Sequence, residues 1–251
     1  VIAEPFALGD TFLHRADARV KFASAVLLSC VLAVSPSTGA PALALPLAAG
    51  MTLLSRPPWR CLARRLLTVN AFTAFLWLFL PFCTPGEAVF RLGSFTATAP
   101  GVAAAWLVTL KTNAIMLFFL SLVATSDAAA LGQAMHRLRV PAKLVFLFLF
   151  TYRFINVIGD EQRRLMTAAR LRGFRPGTNP HTYRTLASLL AMVLLGAMRR
   201  AEMVRRSMVL RGFTGTFATL RVFRLAGADI LLLAGLSSAA AMFALLEVLH
   251  V

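Results

Sequence analysis

The chain alternates long apolar runs with short polar breaks. A membrane-crossing helix needs about 20 mostly apolar residues. Runs approaching or meeting that length occupy residues 20–35, 40–55, 66–82, 102–125 and 225–249. The first two are short, with Pro36, Ser37 and Gly39 making the tight turn between them. After Thr125 the pattern changes. Residues 127–140 predict a short interfacial amphipathic helix with Asp127 as its N-cap. Two segments then begin apolar and end basic, 142–172 and 183–211, which as continuous helices would reach about 46 Å and about 43 Å. Between them "FRPGTNPHTY" predicts a turn. In the second segment Leu186, Leu190, Val193, Ala197, Ala201, Val204 and Met208 fall on one helix face, and Arg211 is the next step of three. Arg199, Glu202 and Arg206 lie on another face at pairing distance along the helix.

Both segments end in the same four residues. Leu171-Arg172-Gly173-Phe174 recurs 39 residues later as Leu210-Arg211-Gly212-Phe213. Gly173 and Gly212 suit left-handed helix C-caps, and Phe174 and Phe213 suit the apolar contact that follows. Capping accounts for the glycines and for a cation near the negative helix end. It does not require arginine one step beyond an apolar stripe twice. Such an arginine suits a bidentate pair with a carboxylate in a partner's acidic groove.

Composition sharpens the class. The 251 residues are 59% hydrophobic with 26 Lys+Arg against 10 Asp+Glu, and the mean hydropathy is +0.75. This points to a membrane protein with a basic cytoplasmic side rather than a nucleic-acid binder. Residues 137–224 carry 17 of the 26 basic residues against Asp160, Glu161 and Glu202, so 14 of the net 16 positive charges lie there. A hairpin through the bilayer would put the basic stretch 163–184 outside, against the positive-inside rule. The segment is therefore predicted to stay cytoplasmic, with its apolar runs at the membrane interface. Five crossings follow, with the N-terminus inside, the basic loop 56–65 inside and the loop 83–101 outside. No cleavable signal peptide is expected, and a first residue of valine suggests a trimmed N-terminus.

Catalytic and ligand-binding signatures are sparse. Cys30, Cys61 and Cys83 form no pairing or zinc pattern, and the four histidines, His14, His136, His181 and His250, are scattered. No phosphate-binding glycine motif occurs, so the chain is not expected to bind ATP. No nucleophile or acid–base pair stands out. Lys111 and Asn113 lie within the fourth run. An ionisable group there is either functional or snorkels to an interface. Arg153 and Asn156 interrupt the first long segment, facing the second or lipid headgroups.

With these motifs in view, the chain resembles the T component, the transmembrane coupling subunit, of energy-coupling factor (ECF) transporters, and most of all the cobalt-importing CbiQ type. The opening "DTFLHRADARVKF" is similar to the family's start, and the pair "ARLRGF" and "MVLRGF" is similar to its paired Ala-Arg-Gly motifs. Leu171 and Leu210 replace the family's alanine, while Arg172-Gly173 and Arg211-Gly212 match. The resemblance implies an all-α integral membrane protein of about five transmembrane helices, with a cytoplasmic or interfacial coupling domain of two long crossed helices and a short amphipathic helix. The implied divisions are 1–126, 127–224 and 225–251. It implies an inner-membrane, non-catalytic subunit of an ATP-driven importer, with cobalt uptake of the kind that feeds cobalamin biosynthesis. The implied partners are two ATP-binding cassette ATPases, a membrane substrate-binding subunit with or without a small accessory membrane subunit, and the lipid bilayer. No nucleic acid, metal site or cofactor is expected on this chain, since ATP and magnesium sit on the ATPases. The implied docking residues are Arg172, Gly173, Arg211 and Gly212, supported by Leu171, Phe174, Leu210 and Phe213. The competing classes are a self-contained secondary transporter or channel, which needs ionisable groups and broken helices at mid-membrane, and a lipid-headgroup enzyme.

Overall fold

The computed structural model describes residues 9, 11–85, 88–92, 95–213 and 227–249. The described chain is almost all helix: α1 (Phe12–Arg15), α2 (Ala18–Val34), α3 (Gly39–Leu54), α4 (Trp59–Cys83), α5 (Ala99–Phe118), α6 (Ala128–Arg137), α7 (Ala142–Leu171), α8 (Pro180–Leu210) and α9 (Gly227–Leu249). The five apolar runs read from the sequence become α2, α3, α4, α5 and α9. The loop after α4 adds something the sequence reading lacks. Strands β1 (Ala88–Leu92) and β2 (Phe95–Thr98) pair antiparallel in a two-stranded hairpin. Thr98 anchors it, its hydroxyl donating to the Thr84 carbonyl at 2.9 Å.

The chain divides into two compact units. Residues 139–213 form one, and residues 9–138 with 227–249 form the other. In the larger unit α5 packs against α4, α3 and α2, while α2 also receives α6 and α9. Small residues set the spacing. Ala40, Ala44 and Ala48 stand one turn apart along α3, all fully buried. They let helix backbones approach in a setting where packing, not hydrophobic expulsion, drives association. Ala25, Leu28 and Leu32 of α2, Ala114 and Phe118 of α5, and Leu236, Ala240 and Phe243 of α9 complete this core.

The helix α5 runs on into a π-helical turn, Phe119–Val123. A widened turn disturbs the backbone ladder, and hydroxyls supply bonds around it. Thr52 donates to the Leu117 carbonyl at 3.3 Å, Ser121 to Phe118 at 3.1 Å and Thr125 to Ser121 at 2.9 Å. Beyond it Asp127 caps α6, accepting from the Ala129 N–H, and Ala18 of α2 packs with Ala130 and Ala134 of α6.

Among the described residues four helices are long and apolar enough to cross a membrane: α4, α5 with its π turn, α7 and α9. The helices α2 and α3, of 17 and 16 residues, are shorter. The helix α7 qualifies by hydropathy alone, although the charge pattern assigns its segment to the cytoplasm. Its first half is largely apolar, interrupted by Lys143 and Arg153, whereas Asp160, Glu161, Arg163, Arg164 and Arg170 fall in the second half. Length and composition describe the first half, whereas the positive-inside argument rests on the second.

Candidate docking site

The smaller unit is built from α7 and α8, joined by the turn 172–179. Asn179 precedes Pro180, whose fixed φ and missing N–H suit the first position of α8. The Thr182 hydroxyl accepts from the Gly177 N–H at 3.2 Å and steadies the turn.

The two helices end in one geometry used twice. At the end of α7 the Gly173 N–H donates to the Arg170 carbonyl at 3.0 Å and the Phe174 N–H to Ala169 at 3.1 Å. At the end of α8 the Gly212 N–H donates to Val209 at 3.0 Å and the Phe213 N–H to Met208 at 3.0 Å. Both are Schellman motifs, which require a left-handed residue at the glycine. Gly173 has φ +85° and Gly212 φ +77°. Arg172 and Arg211 occupy the C-cap itself. Both side chains are exposed, and neither has a hydrogen bond or ion pair among the described residues. Beside them Leu171 is 84% exposed and Leu210 87% exposed. Each tip therefore presents an unpartnered cation next to a bare leucine, while Phe174 and Phe213 are half-buried.

The apolar stripe of α8 has a more particular fate than its spacing suggested. Val193, Ala197, Ala201, Val204 and Met208 line a groove of about 770 Å³ against Phe146, Phe150, Phe154, Ile155 and Ile158 of α7. Leu190 stands outside it, 62% exposed. The residue that extends the stripe into the groove is Phe213, not Arg211. The cap explains this: the left-handed Gly212 reverses the chain, bringing Phe213 back over Met208 and leaving Arg211 pointing away. Phe213 lies 6.2 Å from Phe146, ring centre to ring centre, and Phe146 stacks on Phe150 at 4.3 Å.

Several charges at and around the groove, Glu161, Arg164 and Arg205 among its lining residues, are paired along the helices. Glu202 accepts from Arg205 and Arg206, each at 2.8 Å, whereas Arg199 turns to the Leu195 carbonyl. The hydrogen bonds from Arg205, then Arg206, hold the Glu202 carboxyl down at about 2. Glu161 pairs with Arg164, and Asp160 with Arg163 at 3.6 Å. The Arg153 guanidinium sits 5.9 Å from the Phe154 ring.

In the larger unit the Lys111 ammonium donates to the Ala33 carbonyl at 3.1 Å, in the last turn of α2. A cation there offsets the negative helix end. Asn113 exchanges two amide bonds with Asn70 of α4. Among the described residues no three His, Cys, Asp or Glu side chains gather as a metal site, and His250 lies outside them. The charges of the opening stretch "DTFLHRADARVKF" gather at the start of α2 as Asp17, Arg19 and Lys21, joined by Asp229 of α9, a partner the sequence reading did not give. The group's one local sign was three charges at the mouth of an apolar run.

The sequence profile of the family described as CbiQ, cobalt transport protein, matches residues 9–220, a span holding both Leu-Arg-Gly-Phe motifs. The chain belongs to the CbiQ family. This CbiQ-family chain is a multi-pass membrane protein of transport. It is 26% identical over 228 residues to the energy-coupling factor transporter transmembrane protein EcfT of Brevibacillus brevis, covering 86% of each chain. It is 28% identical over 217 residues to EcfT of Heliobacterium modesticaldum, covering 82% and 81%. It is 29% identical over 145 residues to the cobalt transport protein CbiQ of Rhodobacter capsulatus, covering 56% and 59%.

Proposed function

We propose that this chain is the T component of an ATP-driven ECF importer, a non-catalytic subunit that carries ATPase motion to a separate substrate-binding membrane subunit. The observation that carries the reading is the duplicated tip. Two equivalent helix ends, each with a rigid glycine cap, an unpartnered arginine and an exposed leucine, suit two equivalent sockets. Two ATP-binding cassette ATPases, each offering a carboxylate within an apolar groove, fit that demand. ATP and magnesium are then bound by the ATPases. The α7–α8 groove offers the apolar seat for the substrate-binding subunit, so movement of the tips during ATP turnover shifts that seat. The cytoplasmic side is the one bearing α8 and the N-terminus, in keeping with the basic excess of residues 137–224. Cobalt is the proposed cargo, supported by the family's description and the CbiQ relative.

The experiment is Arg172→Glu with Arg211→Glu in the co-expressed complex. Charge reversal should leave the free chain intact, because neither arginine side chain has a partner among the described residues. The expected result is a chain that inserts normally, loses its ATPases on purification and supports no ATP-dependent uptake. ATPases retained at wild-type level in the double variant overturn the proposal.

A further inference from the structure

The charges at the start of α2 form a largely buried set. Lys21 is 1% exposed, Asp229 5% and Asp17 8%. The Lys21 ammonium donates to the Leu13 carbonyl at 2.9 Å and reaches the Thr125 hydroxyl at 3.5 Å. The Asp17 N–H donates to a carboxylate oxygen of Asp229 at 2.9 Å. Arg19 binds the Asp17 carboxylate through Nε at 3.1 Å and Nη2 at 2.6 Å. Within it two cations meet two anions. Burying ions carries a desolvation penalty even when they are paired, and an apolar set of similar shape is often as stable or more so. Stability alone therefore gives no reason for four charges here.

What the set joins suggests the reason. Thr125 follows the π turn of α5 and leads into α6, after which the chain enters the α7–α8 unit at residue 139. Asp229 lies in the first turn of α9, by which the chain resumes in the larger unit. Both covalent connections to the α7–α8 unit thus leave from points bonded to the first turn of α2. The Ala18 contact with Ala130 and Ala134 holds α6 to the same turn.

We propose that Asp17, Lys21 and Asp229 are positioning residues for coupling: a charged clasp that fixes both roots of the α7–α8 unit to α2, so that displacement of that unit is delivered to the membrane helices. The inference rests on the coupling function proposed above and names the residues that transmit it. Without the clasp, ATP-driven movement is taken up by slack at the two connections.

The test uses the full transporter in proteoliposomes, with the ATPases and the substrate-binding subunit, and reads ATP hydrolysis and uptake separately. Lys21→Met with Asp229→Asn removes one charge of each sign and leaves no new net charge. The expected result is retained ATPases and near-normal hydrolysis, with uptake per ATP lowered roughly 5- to 150-fold, the span of ordinary coupling between sites. Lys21→Arg, which keeps the cation, is expected to restore coupling. Unchanged uptake per ATP in the neutral double variant overturns the clasp. So does a parallel fall of hydrolysis and uptake, the mark of a merely structural role. A double variant that fails to assemble leaves the unaltered complex to decide, by hydrogen exchange at residues 17–21, 125–134 and 229–236. Protection there that persists through ATP turnover supports the clasp, and ATP-dependent loss of it overturns the clasp. Failure of the unaltered chain to hold ATPases is a different outcome, which removes the coupling function itself.

Discussion

Replacing Gly173 or Gly212 by alanine isolates the backbone contribution of the two caps. Among the described residues an added Cβ meets no atom within 4 Å at either position, so no steric clash confuses the result. What remains is the left-handed conformation, φ +85° and φ +77°, which costs an L-residue roughly 1–2 kcal/mol. Each cap holds two bonds, Gly173 to Arg170 with Phe174 to Ala169, and Gly212 to Val209 with Phe213 to Met208. A penalty of that size raises local opening about 5- to 30-fold. Hydrogen exchange read on residues 168–174 and 207–213 should show this increase, confined to the altered tip. Gly173→Asn should lose less than Gly173→Ala, because asparagine tolerates the left-handed region better. The same reasoning reverses sign after α6, where Arg139 takes φ +64° with a side chain in place. Arg139→Gly should slow opening of the last turn of α6. Exchange unchanged by Gly173→Ala, or asparagine as damaging as alanine, refutes the assignment of these glycines to backbone need.

Glu202 makes a pH prediction. Its pKa is lowered from 4.5 to about 2, so its ion pairs contribute fully above about 4.5 and are lost as pH falls from there toward 2; a carboxyl titration by NMR with a midpoint at or above 4.5 contradicts this. Glu247 of α9 accepts from the Ser35 hydroxyl at 2.5 Å, the Ser37 N–H at 2.6 Å and the Ser37 hydroxyl at 2.9 Å. Removing the acceptor of all three bonds, Glu247→Ala should lower the thermal midpoint of the purified chain, and an unchanged midpoint contradicts this. Ala197→Trp fills the α7–α8 groove from a half-buried position, and co-purification should show the substrate-binding membrane subunit lost while the ATPases remain.

What could be read from the sequence follows the range of the physics behind it. The caps are local chemistry: a glycine, a preceding helix and a following phenylalanine lie within six residues, so both Schellman motifs were legible. So were the apolar runs, whose positions match α2, α3, α4, α5 and α9 closely. The Asp17–Asp229 bond spans 212 residues, and no local pattern announces it. The spacing of α8 placed Arg211 on the apolar stripe, correctly as far as a continuing helix goes. The helix stops at Leu210, and the cap hands the groove to Phe213. The hairpin after α4 went unread because its strands have only five and four residues, too short for alternation to stand out. At Lys111 the residue type left function and interface anchoring open, and its bond to the Ala33 carbonyl gives it a local task at the end of α2.

Two equivalent docking tips are the centre of the account, and counting ATPases on single and double variants tests that most directly. Removing one member of a buried charge pair typically costs 2–5 kcal/mol, so one reversed arginine should weaken its own socket by about 30-fold to several thousand-fold. Native mass measurement of the purified complex should find two ATPases on the unaltered chain, one on Arg172→Glu, one on Arg211→Glu and none on the double variant. Two ATPases retained on the double variant would contradict the account.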